Sequence, residues 1–156
     1  MTAVLVAILA AAAPLFAWAS EGLFGLAPCA LCLWQRVPYW AAFVLAMLAA
    51  LDWQRRSLLR LAALAALVSG AIAAFHLGVE FGWWPSPLAG CQVPSLGAAA
   101  SLEELMASLA PVPAKPCDEP AYLIRGLPLS MAGMNLIYAL MLAGLAWAGA
   151  RKEPSR

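Results

Sequence analysis

Four cysteines divide into two pairs by their spacing along the chain. Cys29 and Cys32 form a Cys-x-x-Cys motif, which can close into a reducible disulfide and whose surroundings can make one thiol reactive. Cys91 and Cys117 lie far apart, a spacing that suits a disulfide closing a loop better than a zinc knuckle. The pattern predicts thiol–disulfide redox chemistry and no metal site. Inert structural disulfides and a zinc site are the alternatives.

Arg36 follows Cys32 by four residues, so the two side chains share one face if this segment is helical. A guanidinium in that position would stabilise a thiolate, and it would also stabilise a reduced quinone that carries negative charge. The alternative is an arginine whose side chain extends to the lipid headgroups at a helix end. We interpret Arg36 as a functional residue beside Cys32.

Two ionisable residues, His76 and Glu80, lie one helical turn apart inside an apolar stretch. Ionisable side chains within membrane segments usually have a function, so these two could pair with each other or relay protons to a quinone. The alternative is a histidine and a glutamate in contact with headgroups. Trp83 and Trp84 follow as expected interfacial anchors, and Asn135 is expected to form hydrogen bonds between helices.

The elements that must position these residues are membrane helices. Of the 156 residues, 65% are hydrophobic and 11% charged, whereas a soluble domain is roughly half apolar and a quarter charged. Apolar stretches predict spans at about residues 3–19, 34–51, 58–82 and 127–150. We therefore expect an all-α integral membrane four-helix bundle that forms a single domain. The first stretch could instead be a signal peptide, but no basic residue precedes it.

Basic residues indicate the orientation. Six of the nine lie between the second and third stretches or after the fourth: Arg55, Arg56, Arg60, Arg151, Lys152 and Arg156. This face should be cytoplasmic, with both termini on it. The cysteines fall in two segments on the opposite face, at about residues 20–33 and 83–126, which is the periplasm if the membrane is a bacterial inner membrane. The net charge of +1 gives no support for nucleic-acid binding.

The longer outer segment contains the pattern of a short amphipathic helix. Ser101 and Glu104 match a capping box, and Leu102, Leu105 and Leu109 then fall on one helical face. Such a helix would lie on the membrane surface or, alternatively, pack against the rest of the protein. The prolines beyond it predict an irregular, extended chain.

Several runs of residues together resemble the disulfide bond formation protein B (DsbB) family. They are Ala-Pro-Cys-Ala-Leu-Cys-Leu-Trp-Gln-Arg at 27–36, Trp-Pro-Ser-Pro-Leu-Ala-Gly-Cys at 84–91, Pro-Cys-Asp-Glu at 116–119 and Gly-Leu-Pro-Leu-Ser-Met at 126–131. The resemblance covers nearly the whole chain in the same order. It implies a four-helix membrane bundle that reoxidises DsbA, a periplasmic thioredoxin-like oxidant, and reduces ubiquinone or menaquinone.

The resemblance also implies a role for each cysteine. Cys91 would form the mixed disulfide with the partner protein. Cys117 would resolve that bond and exchange with Cys29. Cys32 would be the thiolate that contacts the quinone, with Arg36 beside it.

His76 is the candidate for the quinone-side histidine of that family, although it is offset along its helix. Two other functions stay open. A vitamin K epoxide reductase-like protein would couple the same elements, but such proteins usually place the loop cysteines before the Cys-x-x-Cys motif. A membrane scaffold with two structural disulfides would have no enzymatic activity, and its bridges would not cycle with added quinone.

Overall fold

The fold is described from a computed structural model. The described residues are 1–51, 54–88, 91, 116–124 and 126–152. The amphipathic helix expected at about residues 101–109 lies outside them, as does Arg156.

Long helices dominate the described part of the chain. They are α1 (Thr2–Phe24), α2 (Ala30–Ala50), α3 (Arg55–Glu80) and α4 (Met131–Lys152). Each is long and apolar enough to cross a membrane, and no strand occurs among the described residues. The protein is therefore the all-α membrane bundle that the sequence predicts.

The adjoining ends of α1 and α2 are fixed by local backbone chemistry. Helix α1 continues past Ala19 and ends at Gly25, whose φ of 64° is left-handed and whose N–H bonds to the Glu21 carbonyl oxygen. Helix α2 begins earlier than residue 34, because the Cys29 sulfur accepts a hydrogen bond from the Cys32 N–H at 3.2 Å and caps the helix. The Cys-x-x-Cys motif is therefore the first turn of α2.

Small residues allow the helices to approach one another closely. Helix α3 packs mainly against α2 and α4, and α1 packs mainly against α2. The buried core is dominated by alanines, among them Ala3, Ala7, Ala10, Ala42, Ala46, Ala49, Ala62, Ala63, Ala66, Ala139, Ala143 and Ala146. Many leucine, valine and tryptophan side chains are exposed on the outside of the bundle. This distribution is typical of helices that pack through small residues and face lipid with large ones.

The segment after α3 folds back onto that helix. The Trp84 indole N–H donates to the Phe75 carbonyl oxygen at 3.1 Å, and the two rings stack with centroids 5.6 Å apart. Gly78 leaves room for the Trp84 ring, which a Cβ atom at that position would overlap. Trp83 is exposed. The interfacial anchoring expected of both tryptophans stays a prediction.

The crossing of α3 and α4 gives a test of this packing. A Cβ atom added at Gly70 would lie 3.2 Å from the Ala139 Cβ atom, whereas one added at Gly144 meets nothing within 4 Å. We expect Gly70→Leu to destabilise the bundle by about 1–3 kcal/mol, because overpacking pushes the helices apart. Gly144→Leu should unfold close to the wild-type temperature in a thermal melt in detergent micelles. Equal losses in both variants would contradict this account of the interface.

Candidate functional site

The two cysteine pairs are in different oxidation states. Cys91 and Cys117, hereafter the loop pair, form a disulfide. Cys29 and Cys32, hereafter the helix-mouth pair, are free thiols whose sulfur atoms are 2.8 Å apart. The described structure therefore combines an oxidised loop pair with a reduced helix-mouth pair.

The two pairs meet at Cys29. Its Sγ atom, the Sγ atom of Cys117 and a ring nitrogen of His76 all lie within 4.8 Å of one another, and all three residues are buried. This spacing would also suit a metal ion, but a sulfur in a disulfide is not a thiolate ligand. One sulfur of each pair is thus close enough to the other for thiol–disulfide exchange after a small movement.

His76 contacts both pairs from helix α3. Its Nε2 atom is 3.2 Å from the Cys117 carbonyl oxygen and 3.5 Å from the Cys29 sulfur. The same nitrogen is 3.9 Å from Glu80, whose carboxylate accepts a 2.6 Å hydrogen bond from the Ser130 hydroxyl. Both side chains are less than a tenth exposed, so the alternative of contact with lipid headgroups does not describe them.

A chain of hydrogen bonds extends from His76 into the bundle. The Gln35 side-chain nitrogen is 3.0 Å from His76 Nδ1, and the Gln35 side-chain oxygen accepts from the Asn135 amide at 2.8 Å. Asn135 also donates to the Ser69 hydroxyl and accepts from the Tyr39 hydroxyl at 2.7 Å. These contacts join α2, α3 and α4, which confirms the interhelical role expected of Asn135.

Arg36 makes an ion pair that the sequence analysis did not anticipate. Its guanidinium contacts the carboxylate of Glu21 on α1. Its Nε and Nη1 atoms are buried and have no hydrogen-bond partner in the part of the chain that the structure describes. Glu21 could have been noticed as the one charged residue of α1, but no local spacing connects it to Arg36. The guanidinium is therefore held through Nη2, and its Nε and Nη1 donors are available to a ligand.

A cavity of about 340 Å³ lies between α1, α2 and α4. Cys32, Arg36 and Glu21 contribute to its wall, and the remaining lining is largely apolar. Cys29 and His76 do not line it, but they border a much smaller pocket that Cys32 also borders. Cys32 therefore stands between the large cavity and the meeting point of the two pairs. Gln35, which the sequence analysis quoted without a role, also lines the cavity.

These features are those of a membrane protein that moves disulfides between two cysteine pairs. A family model described as "Disulfide bond formation protein DsbB" matches residues 1–149. The chain belongs to the DsbB family. This membership makes it a disulfide-bond-forming membrane oxidoreductase, as the resemblance of its motifs implied. No curated protein and no solved structure matches the chain significantly.

Within this DsbB-family site, the two helix-mouth thiols should react at different rates. The hydrogen bond to Cys32 and burial raise the pKa of the Cys29 thiol, so that its thiolate fraction at neutral pH is small. Because the thiolate is the reactive form, we expect an alkylating reagent to modify Cys32 before Cys29 when the loop disulfide is intact. Peptide mass spectrometry after short labelling times would measure the order.

Cys32→Ala is the control for this prediction. Alanine has no acceptor for the Cys29 proton, so Cys29 should be alkylated faster in the variant than in the wild type. Labelling of Cys29 ahead of Cys32 in the wild-type protein would contradict the arrangement of the two thiols.

Proposed function

We propose that this protein reoxidises a periplasmic DsbA-like thioredoxin-fold protein and passes the electrons to a membrane quinone, either ubiquinone or menaquinone. The observation that carries the proposal is the series of sulfur atoms that leads inward from the loop. Cys117 lies within 4.8 Å of Cys29, Cys29 lies 2.8 Å from Cys32, and Cys32 borders the large cavity. Two electrons that enter at the loop pair thus have a short path to that cavity.

The cavity has the chemistry that a quinone requires. A quinone head group is a flat, mostly apolar ring with two oxygen atoms that accept hydrogen bonds. The lining is largely apolar, the volume lies within the range of small-molecule sites, and Arg36 has two buried donors with no partner among the described residues. Cys32 and Arg36 would hold the head group between them. When bound, a quinone supplies an acceptor for two electrons and two protons.

The first exchange would take place at the loop pair. A thiolate of the partner attacks Cys91, the Cys91–Cys117 bond breaks, and Cys117 leaves with the electron pair. The second thiol of the partner then displaces Cys91 and becomes oxidised, so the loop pair is left as a dithiol. This step differs from the role that the resemblance implies for Cys117, because attack by Cys117 would only return the partner to its reduced form. The partner loses two electrons and the loop pair gains them.

The second exchange would move those electrons to the helix-mouth pair. Cys117 attacks Cys29 of an oxidised helix-mouth pair, and Cys32 leaves as a thiolate. Cys91 then attacks Cys117, which restores the loop disulfide and releases Cys29. The product has an oxidised loop pair and a reduced helix-mouth pair, which is the combination found in the structure.

The direct test is quinone-dependent oxidation of reduced DsbA by the purified protein. We expect Cys91→Ser and Cys117→Ser to abolish turnover but to keep quinone binding, because neither residue lines the large cavity. Binding can be followed by quinone fluorescence or absorbance in micelles. Turnover without quinone, or loss of quinone binding in both variants, would refute this division of labour.

Arg36 gives a second prediction. Arg36→Met removes the charge and should raise the apparent KM for quinone about tenfold or more, since a hydrogen bond from a charged group is worth ~1.5–3 kcal/mol. Arg36→Lys should have a smaller effect, because lysine keeps the charge but loses the planar group of donors. Steady-state kinetics with a soluble quinone would measure both values.

Arg60→Met is the matched control for Arg36. Arg60 lies in the first half of α3, on the side of the bundle opposite the cysteines, where it stacks on Trp147. The same substitution there should leave the KM for quinone unchanged. If Arg36→Met also leaves the KM and the alkylation rate of Cys32 unchanged, Arg36 is only an interfacial anchor.

A further inference from the structure

The geometry points to Gln35 and Asn135 as positioning residues that keep a proton on His76 Nε2, so that His76 donates a hydrogen bond to Cys29 when that sulfur leaves as a thiolate. In this role His76 stabilises a leaving group and is not the base that deprotonates Cys29. The inference rests on the proposed exchange between the two pairs, and it deepens that proposal.

Two contacts assign the proton to Nε2. The first is with the Cys117 carbonyl oxygen, which can only accept, so the nitrogen 3.2 Å from it must donate. The second is on the other side of the ring, where the Gln35 side-chain amide lies 3.0 Å from Nδ1 and can only donate through its nitrogen. Only one tautomer of the neutral ring satisfies both contacts, namely the one with hydrogen on Nε2 and a lone pair on Nδ1.

The orientation of the Gln35 amide is itself determined by its neighbours. Its oxygen accepts from the Asn135 amide nitrogen at 2.8 Å, which turns its own nitrogen towards His76. Rotation of the Asn135 side-chain amide by 180° would lose a hydrogen bond, because its oxygen accepts from the Tyr39 hydroxyl. Its nitrogen also donates to Ser69, whose hydroxyl already donates to the main-chain carbonyl oxygen of Gln35. Asn135 therefore acts on His76 through Gln35, without touching it.

Cys29 needs such a donor during the exchange. When Cys91 attacks Cys117 of a Cys29–Cys117 disulfide, the bond between those two sulfurs breaks and Cys29 takes the electron pair. Cys29 is 3% exposed, so little water can stabilise the new charge. Among the described residues, two donors face its sulfur, namely the Cys32 backbone N–H at 3.2 Å and His76 Nε2 at 3.5 Å. The Nε2 proton, which the Cys117 carbonyl oxygen accepts in the structure, is therefore within reach of the atom on which negative charge develops and can be shared with it.

A spectroscopic test is available because His76 is the only histidine of the chain. We would label the full-length protein with ¹⁵N-histidine, keep the loop disulfide intact and record the ring nitrogens by NMR in micelles at mildly alkaline pH. We expect a proton on Nε2 and none on Nδ1. A proton on Nδ1 alone, or on both nitrogens, would overturn the inference without any need for a variant.

Asn135→Asp tests the action through Gln35. An aspartate offers only acceptors, so Gln35 should rotate to donate to it and present its oxygen to His76, which moves the proton to Nδ1. Gln35→Glu changes the residue that contacts His76 directly. The new carboxylate should accept a hydrogen bond from a protonated Nδ1, while Nε2 keeps its proton, so that the ring becomes an imidazolium. Trp84→Phe is the control, since it removes a hydrogen bond to the α3 backbone beside His76 and leaves the ring contacts intact.

The kinetic readout is a single turnover in the absence of quinone. Oxidised protein is mixed with reduced DsbA, quenched with acid, and analysed for the appearance of Cys29 and Cys32 thiols. Asn135→Asp should slow this exchange about tenfold, the effect of one hydrogen bond to a charged group, whereas Trp84→Phe should stay within about threefold of wild type. An unchanged tautomer or rate in Asn135→Asp would overturn the positioning role. Absence of exchange in the wild type would instead refute the proposed function.

Discussion

The hydrogen bond between His76 Nε2 and the Cys117 carbonyl oxygen holds the chain at Cys117 against helix α3. The backbone N–H of Cys117 bonds to the Cys91 carbonyl oxygen at 3.4 Å, so the same contact also fixes the position of the loop disulfide. A loop cysteine can exchange with a helix cysteine only if their sulfurs meet, and a long connection makes that meeting improbable without an anchor. The histidine therefore supplies the geometry on which the proposed transfer between the two pairs depends.

An imidazole in the interior of a membrane protein must itself be satisfied. Lipid offers no hydrogen bonds, so each polar group buried in the bundle has to find a partner within the protein. Gln35, Ser69 and Asn135 satisfy one another and the Nδ1 atom of His76. Such a chain is possible because alanines and Gly70 bring the helix axes close enough for short polar side chains to reach across. Packing through small residues and the orientation of the His76 ring are thus parts of the same arrangement.

The sequence was sufficient for the features that depend on local spacing. The Cys-x-x-Cys motif, the position of Arg36 on α2 and the four spans follow from residues close together in the chain. The exact first residue of α2 does not follow from hydropathy, because hydropathy does not show that the Cys29 sulfur caps the helix. The pairing of Arg36 with Glu21 depends on how two helices are rotated about their axes, and the number of apolar residues does not determine that rotation.

The rotation of the helices also decides which pocket His76 and Arg36 each border, and the sequence does not determine this. The offset of His76 along α3 put a quinone-side role in question, and in the structure the ring borders the small pocket beside Cys29 and not the cavity beside Cys32. Arg36 has the opposite distribution, since it lines the large cavity and not the small pocket. A donor beside Cys29 and a fixed cation near Cys32 would act on successive steps, one when electrons arrive from the loop and one when they leave for the membrane. His76 is held by Gln35, and Arg36 is held by Glu21. Because the two donors have different neighbours, negative charge on Cys29 would be stabilised without movement of the guanidinium near Cys32.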